Sequence, residues 1–216
     1  MRKKLLTIGI FALFMSSVST AATFNFILEA EDDERGGAPL TFSNSGIDLT
    51  ASGEYYNGQN WQAANAYLDD HWNGHGDAGL GVCKTITSSL QCNPGSDDNV
   101  TIGEKLILDF GQQVTISEII MADGEHGTAF TGDYRLLIDN IEILGSHSLA
   151  ALLTLSSFTG QVFEFWNDND TEVKGNEFYI SSLTVSAVPI PAAAFLFAPA
   201  LLGFMGLRCK AKNSVA

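Results

Sequence analysis

Four groups of residues have the types and spacing to do chemistry. Cys83 and Cys92 bracket eight residues of a polar loop. In an exported chain such a close pair reads as a disulfide, and closing so short a loop contributes roughly 2–3 kcal/mol. Two free or metal-binding thiols are the competing reading. The run Asp97-Asp98-Asn99-Val100-Thr101-Ile102-Gly103-Glu104 offers carboxylates and carbonyls on a glycine-containing loop. Those are the oxygen donors calcium takes, with Asp97, Asp98 and Glu104 as its candidate ligands. The EF-hand spacing is missing, and an acidic turn before a strand explains the same residues without metal.

His71 and His75 stand four apart, a spacing that on a helix faces two imidazoles toward one zinc. Gly74 and Gly76 argue against a helix, and Trp72 occupies the place of the catalytic glutamate in the zinc-protease motif. A solvated loop is the better reading, with a secreted metal-dependent hydrolase as the alternative it leaves open. His126 and His147 are isolated in sequence and read as exposed. Tyr55, Trp61 and Trp72, with Tyr56 and Tyr67, lie among Asn, Gln, Gly and Asp residues. Such aromatic faces stack on pyranose rings, which makes a carbohydrate-binding module the first alternative. They are equally ordinary core and rim residues. No nucleophile elbow, P-loop or dinucleotide fingerprint occurs, and carboxylates are too plentiful to single out a glycosidase pair. The residues favour a protein without catalytic activity.

The elements that must position these groups follow a period of two. Ile47, Leu49 and Ala51 alternate with polar neighbours, as do Leu106, Leu108 and Phe110, and Tyr134, Leu136 and Ile138. Tyr179, Leu183, Val185 and Ala187 share one parity of the last run. Phe24–Leu28, Val114–Met121 and Gln161–Trp166 are further strands, separated by Gly, Asn and Asp clusters. Ser148–Leu155 reads as a short helix or a strand. This pattern predicts an all-β protein, an antiparallel β-sandwich of jelly-roll type.

Both ends carry sorting features. Arg2, Lys3 and Lys4 precede an apolar run from Leu5 to Met15 and then small residues, the three parts of a signal peptide over 1–22, cut after Ala21 or Ala22. At the other end, Ala192 to Leu207 contains no charge, and Arg208, Lys210 and Lys212 follow it. Positive charge behind such a segment orients it with the domain outside. Val188-Pro189-Ile190-Pro191 forms a stiff, non-helical approach. One domain, 23–187, is expected between these ends, with 188–216 as the sorting signal.

The proline-flanked motif Val188, Pro189, Pro191 with Ala192, Ala193 and Ala194, the step Leu201-Leu202-Gly203, and Arg208 with Lys210 and Lys212 resemble the PEP-CTERM class. Ile190 stands where the namesake motif has glutamate, and Cys209 and Ala211 dilute the basic cluster. The resemblance implies a transmembrane sorting helix, recognition by an exosortase-type enzyme, removal of the tail, and a cell-surface or extracellular destination. The stretch Phe42–Phe110, through Gly46–Ala51, Ala66–Asp69, Gly79–Cys83, Asp98-Asn99 and Glu104–Phe110, is similar to a domain common among such proteins. It implies a surface β-sandwich and supplies no activity.

Removing both ends leaves five cations against 25 anions, a formal charge of −20. Such a surface repels nucleic acid and attracts divalent cations. Together these readings predict an exported surface or extracellular-matrix protein, structural or adhesive in a polysaccharide-rich envelope or biofilm.

Overall fold

Leu106, Leu108 and Phe110 point into the core of the protein, and the strand they belong to is twice as long as their alternation announces. In a computed structural model of the chain, residues 20–70, 78–127, 130, 132–148, 157–167 and 176–189 are described, those of 144–148 by backbone alone. The central strand, β7, runs unbroken from Glu104 to Asp123. Gly111 sits at its middle with φ +63°, a left-handed conformation that costs glycine no Cβ clash. The two strands read from the sequence are therefore one strand turning through a glycine.

β7 joins two sets of partners along the same edge. Its residues 104–109 pair with β4 (Ile47–Tyr56), and 114–123 pair with β11 (Phe178–Ala187). β4 continues to β5 (Trp61–Asp69), β5 to β6 (Gly79–Cys83), and β6 to β11. The pairing thus closes through a five-stranded barrel, where the alternation predicted a jelly-roll sandwich, because β7 is long enough to pair with both β4 and β11 along one edge. The opposite edge of β7 carries β10 (Phe158–Asn167), then β8 (Asp133–Ile138) and β9 (Ile141–Ser148). β1 (Ala21–Asn25) lies on β11, β2 (Arg35–Gly37) on β5 and β3 (Leu40–Asn44) on β4. Every pairing is antiparallel, as the alternation predicts, and one eleven-stranded sheet wraps the core.

Inside it, Phe24, Phe26, Phe110, Phe163, Phe165 and Leu183 are buried with the apolar parities of β4, β7 and β8. Ring edges meet ring faces at Phe26–Phe42 and Phe110–Phe163. The stretch Phe24–Leu28, expected to be all strand, breaks at Asn25. The Asn25 side chain accepts a hydrogen bond from the Leu28 N–H and caps the only helix among the described residues, α1 (Phe26–Asp32).

No helix among the described residues is long and apolar enough to cross a membrane. The expected signal peptide lies outside those residues except for its last three positions. There Ala22 is buried in β1 opposite Val185, so a cut after Ala22 keeps Thr23–Asn25 paired with β11. Ile190, Pro191, Arg208, Lys210 and Lys212 also lie outside the described residues, as do 149–156 of the ambiguous segment.

Candidate functional site

Cys83 and Cys92 are joined in a disulfide, as their spacing predicts. The bridge packs with Ile86 against the buried Tyr67 of β5. Tyr67 donates through its hydroxyl to Glu34 and Gln91, which ties the bridged loop to the barrel wall. The chain then returns across β6 at Gly81. A Cβ there would lie 2.1 Å from the Asp98 carbonyl oxygen, so only glycine permits this crossing. The loop and the glycine together deliver Asp97, Asp98 and Asn99 to one end of the ring.

The three acidic residues grouped by sequence as a cation site are divided here. Asp97 and Glu104 converge on the Lys84 ammonium at 2.8 and 2.7 Å. Their remaining oxygens accept from the backbone N–H of Lys84 and Thr101. Lys84 already supplies the positive charge that an ion would bring to these two carboxylates. Burial raises Glu104 to about 7 against the pull of Lys84. Asp98 bonds instead to Tyr179, across a cavity that Lys84 and Asp97 also line. The one trio of Cys, His or carboxylate donors within 4.8 Å among the described residues is Cys83, Cys92 and Asp97, and the disulfide consumes both sulfurs.

Asp98 opens onto a cavity of about 790 Å³ whose wall includes Asp69, Asn99, His126, Glu177 and Tyr179. The Tyr179 hydroxyl donates to Asp98 Oδ1 at 2.8 Å and also meets Asp69. His126 Nε2 lies 3.1 Å from Asp69 Oδ2, close in distance but off the line of a hydrogen bond. The His126 ring sits edge-on to Tyr179. Burial, then the neighbouring Asp69 charge, pushes Asp98 up to about 7. Burial raises the Tyr179 hydroxyl well above its usual range, and both carboxylates add to this. Asn99 donates to Glu177 at 3.1 Å, while its Oδ1 is buried with no hydrogen-bond donor.

His126, read from sequence as exposed, is 11% exposed in its side chain against Asp69. Its isolation in sequence conceals a neighbour more than fifty residues earlier that the ring brings to it. His71, Trp72 and His75 lie outside the described residues, and His147 outside the described side chains. Asp69 and Tyr179 were invisible as site residues because each reads as the end of a strand.

A second constellation covers the outer face of the sheet where β5, β4, β7, β10 and β8 lie side by side. Lys105 of β7 holds its ammonium 4.8 Å from the Trp61 ring centre and 5.0 Å from that of Trp166. It also pairs with Glu54 and Glu164, each at 2.9 Å. The two indoles lie 4.8 Å apart, Tyr56 extends the row beyond Trp61, and Arg135 stands over Trp166. Of the aromatics singled out from sequence, Trp61 and Tyr56 belong to this row. Tyr55 shares the inward parity of β4 with Ala51 and Gly53 and packs on the core, whereas Glu54 and Tyr56 face out. Trp166 had a readable signal: it occupies the outward parity of a strand whose Phe163 and Phe165 are buried.

No protein-family model, curated protein or solved structure matches the chain.

Proposed function

We propose that the chain is an exported surface or matrix protein that is processed by an exosortase-type enzyme and grips extracellular polysaccharide through the Tyr56–Trp61–Trp166 face, without catalysis. The observation that carries the sugar contact is this aromatic row, which runs from β5 and β4 across β7 to β10 and is bordered by the Glu54 and Glu164 carboxylates. Flat aromatic faces offer an apolar surface to the C–H faces of sugar rings, and carboxylates at their rim accept hydroxyl hydrogen bonds. The formal charge of −20 between the two ends repels polyanions, which favours a neutral polysaccharide. The four described cations each contact a carboxylate, so no free basic patch among the described residues offsets that repulsion. The Cys83–Cys92 bridge fits an oxidising compartment and hence export.

A glycan array with the surface-released protein tests the binding. Neutral polysaccharide should be retained, and Trp166→Ala should weaken it at least about tenfold while Asp97→Asn does not. No retained glycan, or equal binding by Trp166→Ala, would reject the sugar contact. Sorting is tested separately by intact mass. Released protein should begin near Thr23 and lack the segment after Pro191. Surface material that still carries Leu201–Lys212 would reject exosortase processing.

A further inference from the structure

The cavity at the end of the ring gathers oxygen atoms that its own hydrogen bonds do not satisfy. Asp69 and Asp98 arrive from different parts of the chain and share one donor, the Tyr179 hydroxyl. Asn99 is 4% exposed and Asp69 is 7% exposed. Asn99 Oδ1 is buried without a hydrogen-bond partner, and Asp69 Oδ2, also buried, is met by His126 Nε2 at 3.1 Å. A buried carbonyl or carboxylate oxygen left in this state is costly, and two carboxylates that share a site cost more. The natural complement to such a set is a small cation.

We propose that Asp69, Asp98 and the side-chain carbonyl of Asn99 bind one divalent metal ion, calcium in preference to magnesium. Two carboxylates balance a charge of two, and the amide oxygen gains the partner it lacks. All three donors are hard oxygen ligands, and the cavity of about 790 Å³ leaves room for waters to complete a shell of six to eight. Magnesium demands a tighter octahedron and gives up its waters reluctantly, so a roomy, irregular cage selects against it. The site shares only Asp98 with the group of carboxylates that the sequence suggested. Asp97 and Glu104, held by Lys84, take no part.

Terbium luminescence on the full chain tests the proposal, because the Tyr179 hydroxyl bonds both carboxylates of the site and its ring sensitises a lanthanide bound there. Terbium emission excited through tyrosine should saturate at one ion per chain and be displaced by calcium at lower concentration than by magnesium. Asp98→Asn, which preserves the Tyr179 acceptor, should weaken terbium at least about tenfold, and Asp97→Asn should leave it unchanged. Absent or non-saturating emission would overturn the site. So would equal displacement by the two ions, an unchanged Asp98→Asn variant, or an equal loss in Asp97→Asn. Circular dichroism reports whether Asp98→Asn folds. If it does not, the wild-type titration decides alone: failure to saturate at one ion per chain, or equal displacement by calcium and magnesium, overturns the proposal.

Discussion

The outer face around Lys105 and the cavity around Asp98 solve opposite versions of one problem. On the outer face a single buried ammonium meets two carboxylates and two indole rings, so the charge that Lys105 buries is compensated within the protein. In the cavity two carboxylates divide one phenol, and Asn99 Oδ1 has no donor. The first arrangement is finished and presents a surface. The second is left open, and its protonation state follows the solution. Burial raises both Asp98 and the Lys84-paired Glu104 to about 7, so what sets the cavity apart is the Asn99 oxygen that no donor reaches, not distance from a cation.

The largest effect should come from breaking the finished side. Lys105→Met retains an apolar stem beneath the indoles but leaves Glu164, whose side chain is 9% exposed, and Glu54 without a cation. Removing one partner of a buried pair costs about 3–5 kcal/mol, so denaturant unfolding should show a midpoint lowered accordingly. A loss below about 1 kcal/mol would mean that the pair behaves as an exposed one.

Replacing both Cys83 and Cys92 by Ser acts on the other side, because the bridged loop delivers Asp98. Chain-entropy reasoning gives a loss of about 2–3 kcal/mol, read as a lower melting temperature. The outer face should be spared, so tryptophan emission of the folded variant should match wild type. A shifted emission maximum would couple the two regions.

The smallest effect sharpens the contrast through pH. Asp98 and Glu104 are both raised to about 7 in the folded protein, from ordinary values of 3.8 and 4.5. Between about pH 4 and 7 the native state therefore holds more protons than the unfolded one, and stability falls as pH rises, levelling off above 7. In chelator, Asp98→Asn should fall less steeply than wild type across that window. Parallel curves would show that Asp98 titrates normally.

Legibility differed between elements for physical reasons. β4, β7, β8 and β11 bury one parity, and Leu106, Leu108 and Phe110 or Ile47, Leu49 and Ala51 declare it in period two. β6 is buried at all five positions, so Gly79–Cys83 shows no alternation to read. β5 carries Ala63, Ala64 and Ala66, weak strand formers whose conformation is imposed by β4 and β6. The disulfide was readable because its partners are close in sequence. The cavity was not, since Asp69, Asp98, His126 and Tyr179 meet only when β11 closes the ring. The outer row was half readable: Trp61 stood out by composition, and Trp166 only by its parity.

Strands β1 and β11 end together. Ala21 pairs with Ser186 and Ala22 with Val185, while β7 grips the other flank of β11 as far as Ala187 and, through Gln113, Val188. The chain therefore enters and leaves the barrel at a single edge. A tension applied through Val188 along β11 loads the ladders on both its flanks in shear, since antiparallel hydrogen bonds lie across the strand. Those bonds must yield together rather than peel one after another. Load applied at Val188 therefore enters the fold through β11 and is shared at once by the ladders with β1 and β7.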